Sequence, residues 1–319
     1  RTPRGVLPAH RYRPFHHIMR FNILFLLLVW SVAACTSPHA SRLAPLRESI
    51  DSIIAGVPAH IGIAVIADDG DTLEINPSAD YPLMSMFKLP EAMAVCRIVS
   101  QTPAGLDSLI TVRRSELDLH TWSPMLNDYP DSVFDISLCR LVEYILIDSD
   151  NNASNMLFDR IVSVAATDSI VRGMTADPRF ALRHRESDMQ RRHELSYDNV
   201  ASPMAYARII ESLYNPDAPL DSVSRAFIIG TMGRCRTGME RIAAGLPDSV
   251  AVSWAHRTGS GYINARGEVV AVNDGGRVTL PDGRSYIIVI LVRDYAGPQP
   301  DAERLMARIS DVVYRHIVR

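Results

Sequence analysis

The chain is almost without lysine. Of its 33 Lys and Arg residues only Lys88 is a lysine, and the other cations are all arginine. As solvated surface charges the two types are interchangeable, but only an ammonium readily gives up its proton when partly buried. A lone lysine is therefore a candidate base. Ser85 stands three residues before it, a coincidence expected about one time in ten. Other absences narrow the field. No basic run forms a patch, and a net charge of −3 over 319 residues gives no argument for a nucleic-acid partner. There is no glycine-rich phosphate loop, and His193-Glu194 has no second histidine at helical spacing. Neither a metal nor another cofactor is expected. No internal repeat or low-complexity run interrupts residues 36–319. What is present, 47% apolar and 22% charged residues, suits one large or two medium cores.

The first residues are of different material. Residues 1–18 read as upstream of the start, with Met19 the expected first residue. Met19-Arg20 is a short basic stretch, followed by the apolar run from Phe21 to Ala34. A bilayer needs about 20 apolar residues, so this run is too short to span it and reads as a signal peptide ending at residue 34. Val32-Ala33-Ala34-Cys35 resembles a bacterial lipoprotein cleavage box. Cys35 is then the expected lipidation site, residues 35–45 a polar tether, and the location the periplasm or cell envelope. No other segment is expected to span a membrane.

Residues 46–55 have helical spacing. Residues 60–77 form two alternating apolar runs about Asp69-Gly70, a hairpin signal. From Leu83 to about Leu213 the patterns are helical with long loops, clearest at 137–150 and 202–214. After about residue 250 strand character returns in three runs, and 301–318 is an amphipathic helix. The expected architecture is an α/β domain (46–80 and 238–319) with an antiparallel five-stranded sheet and terminal helices on one face. An all-α domain (81–237) is inserted into it. The cleft between the two is the expected site.

Three short motifs fall in this frame. Ser85-Met86-Phe87-Lys88 opens the first helix of the insertion, where residues three apart share a face and the amine reaches the hydroxyl. Ser149-Asp150-Asn151 follows the apolar helix 137–147. Arg257-Thr258-Gly259 lies in the first late strand, where a cation and a hydroxyl can face the cleft. A serine hydroxyl is a poor nucleophile and needs an adjacent base. Lys88, partly desolvated and crowded by Arg257, is expected to have a lowered pKa, a role no arginine can take.

In this order the three motifs resemble those of the penicillin-recognising serine enzymes, and the chain is similar to a class A β-lactamase from about residue 46 to 318. The resemblance implies the β-lactamase/transpeptidase-like fold and acyl transfer through Ser85. It assigns Ser149 to protonate the departing lactam nitrogen, Asn151 to hold the substrate's side-chain amide, and Arg257, Thr258 and Ser260 to hold its carboxylate. The backbone N–H groups of Ser85 and Ser260 become the oxyanion hole, Asp150 orders the loop, and Trp122 stands at the cleft mouth. Where the family usually has Lys, this chain has Arg257, which supplies the fixed cation a carboxylate needs.

A second departure concerns deacylation. The family's Glu-x-x-Leu-Asn is absent, and two glutamates lie in the right region, Glu186 and Glu194. Glu186, 37 residues past Ser149, is favoured, with Gln190 helping to hold the hydrolytic water. Its context resembles the subgroup with an altered omega loop, closed by Asn199 in place of an Asp, with His184 near the place of the usual Arg partner. Asn155 resembles the family Asn that bonds back to this loop.

Cys96 lies 11 residues beyond Ser85 and Cys139 10 before Ser149. If both helices point at the site, both cysteines lie roughly 15–16 Å below it at ~1.5 Å per residue. A Cys96–Cys139 disulfide is expected, leaving Cys235 a buried thiol. The functional expectation is a monomeric, exported serine β-lactamase acting on penicillins or cephalosporins. The alternatives are a penicillin-sensitive D,D-peptidase or transpeptidase, separated from it by Glu186, and a non-catalytic envelope lipoprotein that binds peptidoglycan.

Overall fold

The computed structural model describes residues 42–175, 177–247 and 253–319. The expected signal peptide, the lipidation site Cys35 and residues 35–41 of the tether lie outside the described residues. The fold begins earlier than expected. Leu43 is buried and α1 runs Ala44–Ile54, so the last residues assigned to the tether belong to the core.

After α1 come β1 (His60–Ala67) and β2 (Thr72–Ile75), joined by the Asp69-Gly70 turn. Gly70 there takes φ +85°, a conformation open to glycine at no steric cost. The helical block follows with β3 (Tyr81–Pro82), α2 (Lys88–Val99), β4 (Leu109–Arg113), α3 (Met125–Asp128), β5 (Val133–Ser137) and α4 (Leu138–Glu143). It continues with α5 (Asn151–Arg160), α6 (Val164–Thr175), β6 (Phe180–Ala181), α7 (Glu186–Arg191), β7 (Val200–Ala201), α8 (Pro203–Ser212) and α9 (Ser222–Met232). The chain closes with β8 (Ser253–Ser260), β9 (Val269–Thr279), β10 (Ser285–Tyr295) and α10 (Gln299–Ile317).

The main sheet is five-stranded and antiparallel, in the order β2-β1-β10-β9-β8. Its central strands are buried on both faces, which is why they read as continuous apolar runs. Alternate residues sort to opposite faces. Ile63, Val65, Ile288 and Ile290 join α1 and α10 in one core through Leu46, Ile50, Met306, Ile309 and Val313. Ala64, Ile66, Ile287, Val289 and Leu291 join the helical block in the other.

Within that second core α2 buries ten of its twelve residues, so its apolar pattern has no polar face. The block is not purely helical, although 81–237 was expected to be all-α. It carries a three-stranded sheet, β3-β7-β6, and the hairpin β4-β5. The two-residue strands are too short to show any alternation.

The expected Cys96–Cys139 disulfide is not formed, and both are free thiols. Cys96 is sealed in the core on α2, while Cys139 is only partly buried at the start of α4. Burial pushes the Cys96 thiol up to about 12, and the neighbouring Asp221 and Cys139 add to the rise. Among the described residues no helix is long and apolar enough to cross a membrane.

Candidate active site

Three segments, each held by its own local device, converge on Ser85. The first is the 3-10 turn Met84–Phe87, which carries Ser85 and leads directly into α2 at Lys88. Tyr206 on α8 steadies this turn by donating its hydroxyl to Met86 O at 2.8 Å.

The second segment follows α4, which continues as a π-helical turn (Tyr144–Asp148) and stops at Ser149 in the left-handed region, φ +63°. Such a φ is uncommon outside glycine and persists where surrounding contacts hold it. Asp150 then caps α5. Its buried carboxylate accepts from Ala153 N, Met125 N and the Ser123 hydroxyl at 2.8–2.9 Å. Burial raises the Asp150 pKa, against the pull of those hydrogen bonds.

The third segment is β8, bearing Arg257, Thr258, Gly259 and Ser260. A Cβ built on Gly259 would lie 2.3 Å from Leu83 O, so only glycine lets this strand approach the turn that carries Ser85 so closely.

At the centre, Lys88 is fully buried. Its Nζ lies 3.3 Å from Ser85 Oγ, 2.9 Å from Ser149 O, 3.4 Å from Ser149 Oγ and 2.6 Å from Asn151 Oδ1. It also pairs with Glu186 Oε1 at 2.9 Å. Burial lowers the Lys88 pKa, Glu186 opposes that shift, and the Arg257 charge adds to it. The Ser85 hydroxyl donates to the same Glu186 oxygen at 3.1 Å. Arg257, also fully buried, donates to Ser149 Oγ at 2.6 Å through Nη2 and to Ser85 O at 3.1 Å through Nε. Its Nη1 is buried with no hydrogen-bond partner in the structure.

Of the two candidate glutamates, Glu186 opens α7 and faces Ser85, while Glu194 is exposed in the following 3-10 turn. Asn199 ties the neck of this loop. Its Oδ1 accepts from Arg183 N and His184 N at 2.8 and 2.9 Å, and its Nδ2 donates to His184 O at 2.8 Å. Asn155 Oδ1 accepts from Ser187 N at 3.1 Å, one residue past Glu186. The His184 ring bonds Asp198 at 2.9 Å. Gln190 lies one turn beyond Glu186 and is exposed. Trp122 is 63% exposed, with its indole N–H on Asp148 O at 2.8 Å and its carbonyl accepting from Asn151 N at 3.0 Å.

A family model described as the beta-lactamase enzyme family matches residues 45–317. The chain belongs to the beta-lactamase enzyme family. It is 37% identical over 296 residues to a beta-lactamase of Phocaeicola vulgatus, covering 92% of each chain. It is 32% identical over 271 residues to the extended-spectrum beta-lactamase PER-1 of Pseudomonas aeruginosa, covering 85% of this chain and 86% of that one. Among solved structures, a class A beta-lactamase from Bacteroides cellulosilyticus DSM 14838 superposes with TM-score 0.81 at 28% identity, covering 87% of this chain and 98% of that one. The extended-spectrum beta-lactamase TLA-3 gives TM-score 0.82 at 27% identity, covering 86% and 99%. The fold is that of a class A serine beta-lactamase.

Several residues of this beta-lactamase site carry no signal in the sequence. Arg241, 3% exposed, bonds Gly259 O at 3.1 Å, Asn273 O at 2.7 Å and Ser260 Oγ at 2.5 Å. The Thr237 hydroxyl meets that of Thr258 at 2.5 Å, and Thr121 Oγ1 accepts from Asn151 Nδ2 at 2.9 Å. Glu91, one turn after Lys88, is fully buried. It accepts from Ser154 at 2.8 Å, and burial raises its pKa well above the usual range. Each is a lone Arg, Thr or Glu made relevant only by contacts across the chain.

Proposed function

We propose that this serine beta-lactamase opens the lactam of penicillins or cephalosporins by attack of Ser85 Oγ, with Lys88 as the base and Glu186 as the group that activates the deacylating water. The observation that carries this reading is the Glu186 carboxylate, 3.1 Å from Ser85 Oγ and 2.9 Å from Lys88 Nζ. Burial favours the neutral amine of Lys88, which can take the Ser85 proton as the ester bond forms. Nζ lies between Ser85 Oγ and Ser149 Oγ, so the proton has a path to Ser149 and from there to the lactam nitrogen as the C–N bond breaks. Arg257 donates into Ser149 Oγ and leaves that hydroxyl's own proton free to turn towards the nitrogen. Water deprotonated by Glu186 then attacks the ester, the acyl carbon leaves Ser85 Oγ, and the proton returns to that oxygen.

Binding follows the same geometry. Arg257 Nη1, Thr258 and Ser260 take the substrate carboxylate, Asn151 takes the side-chain amide, and the N–H groups of Ser85 and Ser260 take the oxyanion. Trp122 borders the cleft, and Gln190, one turn from Glu186, reaches towards the water. Export behind the residue 1–34 leader, lipid anchoring at Cys35 and a monomeric state complete the reading, with β-lactam resistance as its consequence.

Mass spectrometry of residues 36–319 mixed with a penicillin and with a cephalosporin tests it. Rapid turnover without a lasting adduct is the expected result. A stable adduct on Ser85 would point instead to a penicillin-trapped peptidase, and no acylation at all to a non-catalytic lipoprotein.

A further inference from the structure

Two hydrogen bonds of matched spacing tie α5 to α2 close to Ser85. Asn151, the first residue of α5, accepts from Lys88 Nζ at 2.6 Å, and one turn further along both helices the Ser154 hydroxyl donates to Glu91 Oε2 at 2.8 Å. Both bonds join residues 63 apart in sequence, so they are successive rungs between one face of each helix. Glu91 and Ser154 are fully buried, and neither takes part in the chemistry assigned to Ser85, Lys88 and Glu186.

Packing alone does not account for a carboxyl at this place. Glu91 Oε1 is buried with no hydrogen-bond partner among the described residues, which costs stability that an apolar side chain would not. Burial pushes the Glu91 pKa well above the usual carboxylate range and Glu186 adds to the rise, against the Ser154 hydrogen bond and the Lys88 and Arg257 charges. The side chain is therefore held as a neutral acid. That state suits its neighbour, because an ionised Glu91 would raise the Lys88 pKa and work against the free amine.

What the first rung fixes is the reach of the amine. Its contact with Asn151 Oδ1, at 2.6 Å, is the shortest that Lys88 Nζ makes. Ser85 Oγ and Ser149 Oγ, between which the proton passes, lie at 3.3 and 3.4 Å, near the long limit for a hydrogen bond. A small slip of α5 along α2 would draw the amine out of reach of one or both. We propose that Glu91 and Ser154 are positioning residues for acylation, their hydrogen bond locking α5 to α2 and so holding Lys88 within proton-transfer reach of Ser85 and Ser149. The proposal rests on the base role given to Lys88.

Acylation of the full chain by a penicillin, timed by rapid quench and mass spectrometry of the Ser85 adduct, tests it alongside deacylation rates and melting temperatures. Ser154→Ala and Glu91→Leu should each slow acylation about ten- to a hundredfold, the cost of a displaced catalytic group, with deacylation falling less. Glu91→Gln, whose amide oxygen still accepts from Ser154 and which carries no charge, should restore the rate. Glu91→Leu combined with Ser154→Ala should be no slower than the slower single variant, because either change already breaks the rung. Acylation at the unaltered rate in Ser154→Ala, with only the melting temperature lowered, overturns the proposal, and so does a Glu91→Gln variant as slow as Glu91→Leu. If Glu91→Leu does not fold, Ser154→Ala and Glu91→Gln still decide. Lys88→Arg in the same experiment keeps the two readings apart. An active Lys88→Arg refutes the base role itself, whereas an inactive one beside an unimpaired Ser154→Ala refutes only the positioning role.

Discussion

Lys88 Nζ and Glu186 Oε1 meet at 2.9 Å inside the protein, with the Ser85 hydroxyl 3.3 Å from the first and 3.1 Å from the second. A buried ion pair is a costly way to gain stability, because both charges give up water. Here the pair does something else. With Lys88 neutral, it places two proton acceptors, an amine and a carboxylate, on one hydroxyl, and the proposed mechanism gives each a step.

Glu186→Gln keeps the shape of the loop and removes the base for water. Acylation should proceed while deacylation slows by about 10²–10⁴-fold. A penicillin should then leave a lasting mass adduct on Ser85. Ordinary turnover by this variant would move the role elsewhere, with Glu194 the next candidate.

Lys88→Arg puts a permanent cation where the proposed mechanism needs a neutral amine, since a guanidinium does not deprotonate in a protein. Acylation should fall by at least about 10²-fold. Stopped-flow kinetics with a chromogenic cephalosporin would read this directly, and an active variant would refute the amine's role.

Asn199→Ala strips three hydrogen bonds from the neck of the loop that carries Glu186. The buried groups left behind should cost about 1–3 kcal/mol of stability. Deacylation should suffer more than acylation, since Ser85 and Lys88 stand on other segments. Denaturant melts and the burst-to-steady-state ratio measure the two effects, and equal loss in both steps would contradict this division.

A pH effect follows from His256, raised from 6.5 to about 10 by Asp274. A group whose folded pKa is raised contributes stability that is complete below the unfolded value and is lost as pH rises through the folded one. In a Cys235→Ser background, which removes the thiol's opposing titration, melting temperature should fall between about pH 6.5 and 10. Adding Asp274→Asn should flatten that fall. A fall of the same size without Asp274 would refute the assignment.

The strands and terminal helices were legible because their burial is local, a continuous apolar run in the central strands and a helical period in α10. β10 shows itself as Ile287-Ile288-Val289-Ile290, and Asp69-Gly70 announces its turn. Ser85 and Lys88 were legible because a helix brings every third residue to one face. The left-handed turn at Ser149 was not, because the π-helical turn before it is set by packing of Tyr144, Ile145 and Leu146 in the core. Nor was Arg241, whose partners Gly259, Ser260 and Asn273 are distant in sequence. The disulfide expectation failed for a related reason. Spacing along two helices gives depth below the site but not the facing of the side chains. The all-α label for 81–237 missed β3 to β7, whose pairings are tertiary events.

The single lysine has a practical consequence. Lys88 is 0% exposed, so amine-directed reagents meet no side chain on the folded enzyme and one on the unfolded chain. A lysine-specific protease has one bond to cut, between Lys88 and Leu89, and reaches it only when α2 opens. Two fragments on a gel would therefore count unfolded molecules, with the lone lysine as the reporter.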